Sequence, residues 1–536
     1  MASQQNYCPP PGPILPPPVN ISPSSPSPSF ISDALLKEYP WFNTTTLAIK
    51  ASIGDVPVIS YEHRAPTNTS APYAKDLFNT KFLIGSVTKV FTVLAVLLSS
   101  NKIGWEDSIT KYIPGLDTVA YQDVSISALA GQTSGLGKFG YVSDLSFLPT
   151  FSPSLLGIPP TNSTLPGCDP FPGGTPCTPS QVLDMFNDPR YQPPSPNSAP
   201  LYSNIAYNLL GVALESVYPN QTYSAIIKKL IFDPVGMQTA SFNPPSNASE
   251  AILPGKDDKW FAAPFLNYEA GGGIWATPTD LHTFAQALRT NKLLSAAETR
   301  KWLQPRSSLP SLHQLVGAPW EIIRPTDLDV KFPRPIDIIT KAGGVPGYTS
   351  YLVLIPEYDI TITMNVAGNE ATPALQELLP TVIKPLVAYA DKEARRQALA
   401  KYAGTYRSTT NSNSTLTLTL DDGPGLKISA LSMNGAPVIA GLATLQGKPA
   451  ASASAHMYPY DVDAWKEGKQ VWRLQLDGPM ETGNDWADMN CASWVFGDPG
   501  RYVGNALDVV EVKVDGEGKA QEVYLVGWRS GLKRVE

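Results

Sequence analysis

The chain has 536 residues, enough for two or three domains that each bury a core. Its formal net charge is −7 and only 16% of its residues are charged, which argues against nucleic acid and anionic membrane surfaces as main partners. The 53 prolines are about twice ordinary usage, and with abundant Ser, Thr and Asn they read as a secreted rather than a cytosolic chain.

The first segment, residues 1–34, holds ten prolines by position 28 and is predicted to lie extended along the surface. Its opening residues are polar and carry no signal peptide. The expected route is secretory, with a leader removed, and an intracellular location is the alternative. Thr45 to Ser60 reads as two strands around a turn at Gly54-Asp55. Lys89 to Ser100 reads as a helix, and its apolar run Val90 to Leu98 is too short to span a bilayer. Residues 138–200 are rich in Pro, Ser and aromatics and form a long irregular insertion. Helices are predicted over Tyr207 to Val217 and over Thr279 to Arg289, the latter with Thr279 as N-cap. Tyr348 to Ile355 and Asp359 to Val366 alternate as a strand pair. Asp391 to Lys401 is a polar helical connector. Beyond it Ser414 to Leu420 alternates strictly, and short strands follow at Leu426, Val471, Val509 and Glu522. Residues 393–536 are therefore an antiparallel β domain.

Seven Asn-x-Ser/Thr sequons begin at Asn20, Asn43, Asn68, Asn162, Asn220, Asn247 and Asn413. Cys168 and Cys177 flank a Pro/Gly-rich stretch suited to a disulfide-closed loop, which leaves Cys8 and Cys491 to pair. Four free thiols are the alternative. No cysteine spacing suits zinc.

The chemistry starts at Gly85-Ser86-Val87-Thr88-Lys89. Ser86 and Lys89 are three residues apart, on one helical face about one turn from each other. An amine beside a hydroxyl is the minimum for an activated serine nucleophile. Alone the motif is weak: Ser86 reads as a helix N-cap, Lys89 as a solvated helix residue, Tyr202 as a half-buried aromatic and Lys341 as a surface lysine. Their joint order changes the reading. Tyr202-Ser203-Asn204 opens a helical run, and Lys341-Ala342-Gly343-Gly344 precedes a strand pair.

These three motifs in this order resemble the serine β-lactamase and penicillin-binding protein superfamily, nearest its class C β-lactamase and family VIII esterase-like branch and its secreted fungal-type relatives. Ala128 to Leu136 (Ala-Leu-Ala-Gly-Gln-Thr-Ser-Gly-Leu) and Ala270 to Leu281 (Ala-Gly-Gly-Gly-Ile-Trp-Ala-Thr-Pro-Thr-Asp-Leu) resemble two further segments of that superfamily. The resemblance covers roughly residues 36 to 390. It implies an α+β fold over residues 35–392: an antiparallel sheet flanked by helices, with an all-helical subdomain beside it. Lys401-Tyr-Ala-Gly-Thr-Tyr406 resembles the start of the lipocalin-like barrel attached to some relatives.

The resemblance implies Ser86 as nucleophile, Lys89 and Tyr202 as proton carriers, and Asn204 as a partner of Lys89 or of the substrate carbonyl. It places Lys341 and Gly343 at the substrate and the backbone N–H groups of Ser86 and Gly344 in an oxyanion hole, each donor worth about 3 to 4 kcal/mol in the transition state. A lysine pKa of about 10.4 must fall by roughly 3 to be neutral near pH 7, which costs about 4 kcal/mol. Which of Lys89 and Tyr202 takes the first proton stays open. No cofactor or metal is called for.

Two departures bear on substrate. Ala342 stands where many relatives carry Thr, which removes a hydroxyl used to bind a carboxylate, although Lys341 remains to attract an anionic group. Gln132 stands where the related segment usually has His. The insertion's aromatic content suggests an apolar acyl or aromatic substrate. No Gly-x-Ser-x-Gly elbow is present, and the four histidines are scattered. The expected activity is a serine hydrolase that cleaves small-molecule ester or amide bonds through an acyl-enzyme on Ser86, with esters favoured over β-lactams. An acyltransferase with the same intermediate, and a non-catalytic ligand-binding relative, are the other readings. Oligomeric state is not legible.

Overall fold

The computed structural model describes residues 7–21, 30–66, 76–147, 151–165, 168, 175–246, 248–254, 265–461, 469–478, 491 and 493–535. Two antiparallel sheets organise it. The first has eight strands, and its centre is Ile360–Gly368, flanked by Thr45–Ile53 and Tyr348–Ile355. Every residue of Ile360–Gly368 is buried, because both sheet faces are covered. Alternation divides the faces: Val353, Ile355, Ile362 and Met364 pack with Leu378, Val382 and Leu386 of a long helix. Leu352 and Leu354 point the other way, into a helical layer built on Phe91, Leu94, Leu210 and Phe284. This is the α+β arrangement expected from the motifs.

The predicted hairpin is Thr45–Ile53 and Val56–His63, turning at Gly54 with φ +57°. The helix predicted from Thr279 is Pro278–Arg289, and its N-cap is Thr277, whose hydroxyl accepts the Asp280 N–H. Pro278 occupies the first turn, where its missing N–H costs nothing. The polar connector is the second half of one 32-residue helix, Ala371–Tyr402. Its first half contains Pro380 and Pro385, which obscure helical periodicity in the sequence; burial of its apolar face against the sheet compensates for the lost hydrogen bonds.

In the second sheet nine strands pair antiparallel. Thr415–Thr419 bonds both to Gly404–Arg407 and to Leu426–Met433, so the sheet closes on itself. Its interior packs Tyr406, Trp472, Val510 and Leu532 together with Ile14 and Leu15 of the N-terminal segment. That segment is thus not merely surface-laid. Ile14 and Leu15 are buried here, and Ile21, Phe30 and Ile31 join the core of the first sheet. Each such side chain contributes about 1.5–3 kcal/mol.

Both expected disulfides are present. Cys8–Cys491 has its Cα atoms 5.1 Å apart and ties the N-terminal segment to the C-terminal region, and Cys168–Cys177 closes the short loop. No cysteine is free. Denatured, unreduced protein is therefore expected to take up no alkylating reagent, and reduction to expose all four thiols, by intact mass. Any uptake before reduction contradicts the pairing.

The sequon asparagines Asn20, Asn43, Asn162, Asn220 and Asn413 are all exposed, while Asn68 and Asn247 lie outside the described residues, as does most of the Cys168–Cys177 loop. Among the described residues no helix is long and apolar enough to cross a membrane. Among its described residues the insertion holds short helical turns and one helix, Pro179–Asn187, opened by a capping box at Thr178.

Candidate active site

Ser86 lies in a tight helical turn, Gly85–Val87, that runs directly into helix Thr88–Leu98. The N-cap of that helix is Val87 and no side chain caps it, so the Ser86 hydroxyl is free of a capping role. Two glycines let this turn approach the sheet. Gly85 has φ +51°, and a Cβ there would come within 2.8 Å of the Gly344 nitrogen. A Cβ on Gly343 would meet the Ile84 carbonyl at 2.0 Å. Gly343 is thus a close-packing position of strand Ile338–Val345, and the exposed Gly344 carries its backbone N–H to the edge of the Ser86 turn. Ser350 secures the contact by donating its hydroxyl to the Ile84 carbonyl at 2.7 Å.

Lys89 is fully buried. Its Nζ lies 3.0 Å from Ser86 Oγ, and it donates to Asn204 Oδ1 at 2.7 Å and to the Gly271 carbonyl at 2.6 Å. Three acceptors match the three N–H groups of an ammonium. Asn204 occupies the N-cap of helix Ile205–Val217 without capping it. Ser203 serves that end instead, accepting the Ala206 N–H, which leaves the Asn204 amide for Lys89. Gly271 reaches Lys89 because the 270–274 segment is bonded to the Ser86 helix: Thr92 Oγ1 donates to the Ala270 carbonyl, and Thr88 Oγ1 accepts the Ile274 N–H.

Tyr202 stands between two ammonium groups. Lys89 Nζ lies 5.2 Å and Lys341 Nζ 5.3 Å from its ring centre. Ser86 and the two ammonium groups all act on its hydroxyl in the sense that favours the phenolate. Burial raises the phenol pKa, but Lys341 and Lys89, with the Ser86 bond, outweigh it and bring Tyr202 down to about 8. Burial lowers Lys89, and the Lys341 charge adds to it against the pull of Tyr202, to about 8 as well. Lys341 goes the other way: burial pulls it down, but the Glu321 carboxylate and Tyr202 hold it above the ordinary lysine value.

The seven residues singled out by motif therefore meet at one place, with two additions that carry no site role in the sequence, the first inside the Ala270 to Leu281 segment and the second in no motif. One is the Gly271 carbonyl. The other is Glu321, which holds Lys341 through Oε1 at 2.5 Å and accepts the Ala342 N–H through Oε2 at 2.9 Å. The Lys341 ammonium, expected to attract an anionic group, is thus already paired. Gln132 also finds its place. Its side-chain oxygen accepts the Ser203 N–H at 2.7 Å and its backbone carbonyl accepts the Leu201 N–H at 2.8 Å, so it brackets Tyr202. The mouth of the insertion joins the same segment: Asn204 N–H donates to the Lys138 carbonyl and Ser203 Oγ to the Gly137 carbonyl.

A buried lysine hydrogen-bonded to a half-buried serine, beside a phenol with a depressed pKa, has the ingredients of an activated nucleophile. Residues 56–382 match the Beta-lactamase family, and residues 394–536 match the family described as Beta-lactamase-like-like, C-terminal domain. The chain belongs to the Beta-lactamase family. A beta-lactamase-like protein from Arthroderma benhamiae is 28% identical over 508 residues, covering 88% of this chain and 84% of its own. A probable hydrolase from a Phoma species is 28% identical over 530 residues, covering 92% and 85%. Among solved structures, the D-amino acid amidase from Ochrobactrum anthropi aligns with a TM-score of 0.50 at 17% identity, over 68% of this chain and 97% of the amidase, a likeness of fold.

Proposed function

We propose that the protein is a serine hydrolase that forms an acyl-enzyme on Ser86 and cleaves ester or amide bonds, esters foremost. The observation that carries this reading is the 3.0 Å approach of Lys89 Nζ to Ser86 Oγ beside a phenol lowered to about 8. The relatives' hydrolase character supports it.

Lys89 as an ammonium has all three N–H groups met by Ser86, Asn204 and Gly271. With that amine satisfied, the Tyr202 oxygen is the base: it takes the Ser86 proton as Oγ attacks the acyl carbon, and returns it to the leaving oxygen or nitrogen. Lys89 and Lys341 hold the phenolate, and the backbone N–H groups of Ser86 and Gly344 receive the developing oxyanion. Water then attacks the acyl-enzyme, giving its proton to the Tyr202 phenolate, which passes it to Ser86 Oγ as the acyl–oxygen bond breaks. The preference for esters rests on Ala342, which offers no hydroxyl to a substrate carboxylate. Two disulfides and five exposed sequon asparagines support a secretory route.

The reading is tested by intact mass after treatment with a fluorophosphonate probe, on wild type and on Ser86→Ala. Gln132 supplies a second check. Gln132→Ala leaves the buried Ser203 N–H unpaired, at about 1–3 kcal/mol, and loosens the segment that aims Tyr202. Ester kcat is expected to fall about tenfold with KM nearly unchanged, because the tyrosine is needed in the transition state more than in binding. An unchanged kcat removes Gln132 from the positioning of Tyr202.

A further inference from the structure

The Lys341 ammonium is buried and already held by acceptors inside the protein. It donates to Glu321 Oε1 at 2.5 Å and to the Ala342 carbonyl at 2.6 Å, and lies 5.3 Å from the Tyr202 ring centre. Lys341 is 1% exposed, whereas the Glu321 side chain is 39% exposed, so what this corner of the cleft presents outward is a carboxylate rather than an ammonium. Glu321 is not a swinging side chain. Its second oxygen accepts the Ala342 N–H, and its own carbonyl accepts the Thr340 hydroxyl at 2.6 Å. The antiparallel pairing of Glu321–Ile323 with Ile338–Val345 sets Glu321 opposite Thr340, next to Lys341.

From this geometry we infer that Glu321 is a specificity-determining residue: by occupying the Lys341 ammonium and facing the cleft with its own carboxylate, it excludes acyl donors that carry a carboxylate and leaves neutral ones. The inference rests on the acyl-enzyme reading of Ser86. A substrate carboxylate arriving here would have to displace Glu321 from a buried cation, leaving Glu321 unpaired, or lie against it, charge to like charge. Either is a repulsive element built against one substrate class. A neutral ester meets neither cost. Ala342 acts in the same direction, since it adds no donor that would compensate an anion.

The test uses two aryl esters that share one phenylacetyl group, the leaving phenol carrying either a 3-carboxylate or a 3-carboxamide. Wild type is expected to prefer the carboxamide ester by about tenfold or more in kcat/KM. Glu321→Gln, which keeps an acceptor for Lys341, is expected to shift the carboxylate-to-carboxamide ratio upward by about tenfold or more. The same ratio is read as affinity by calorimetry on Ser86→Ala and on Ser86→Ala with Glu321→Gln. A structural role for Glu321 would depress both esters together and leave the ratio in place. A wild type that favours the carboxylate ester, or a ratio that moves less than about twofold on Glu321→Gln in both assays, overturns the inference. Ester turnover surviving in Ser86→Ala would instead sink the acyl-enzyme reading, and the charge preference is then read from that residual turnover.

Discussion

Replacing Ser86 by alanine is expected to abolish the fluorophosphonate adduct and to lower ester kcat by about 10⁴- to 10⁶-fold, the range seen when a serine nucleophile is removed from a working site. The loss should be specific to chemistry. Ser86 Oγ caps no helix, and in its absence Lys89 still donates to Asn204 Oδ1 and the Gly271 carbonyl, so the thermal midpoint should stay close to that of wild type. The wild-type adduct must map to Ser86. No adduct on wild type, or the same adduct on the alanine variant, would place the protein with the non-catalytic relatives despite its convergent side chains.

Tyr202→Phe carries the second large effect. It removes the phenol oxygen, whose pKa Lys341, Lys89 and Ser86 lower together, while keeping the ring that packs between the two amines. General base catalysis contributes about 10²- to 10⁴-fold, and a loss of that size is expected in kcat. The pH dependence gives a sharper signature. Tyr202 and Lys89 are each lowered to about 8, and the working form pairs a phenolate with an ammonium, so wild-type kcat/KM should peak near pH 8. Below that the working form gains a proton, the phenolate is quenched, and the rate should fall about tenfold per pH unit. The Tyr202 oxygen also holds the Lys89 pKa up. Its removal therefore drops Lys89 further, and the acid limb of the phenylalanine variant should move below pH 8. A limb that stays near 8 with an undiminished maximal rate would show that Tyr202 is not the base.

The candidate site divides sharply by range. The Ser86–Lys89 pair is a local property: three positions along a helix set two side chains about one turn apart whatever the rest of the chain does. The strands at 45–63, 348–368 and 509–525 are legible for the same reason, since alternation along a strand records which face is buried. The disulfide pairs are legible because only four cysteines exist and two of them flank a turn-rich stretch. The long helix from Ala371 is only half legible: Pro380 and Pro385 punctuate its sequence, and the sheet beneath it overrides them.

Residues, order and spacing by themselves determine the family, the α+β layout with a β-rich C-terminal part, and the identities of Ser86, Lys89, Tyr202 and Lys341. Tertiary structure alone decides what charge each of them carries and what it presents to a substrate. Lys341 looks like a free cation in sequence and is a paired one in the fold, because strand register sets Glu321 beside it across twenty residues of chain that hold no periodic trace of that contact. Gln132 likewise acquires meaning only when the 201–203 segment folds back onto it. Periodicity encodes which face of an element is buried. It does not encode which two elements meet, and the pKa values of this cleft are set entirely by those meetings.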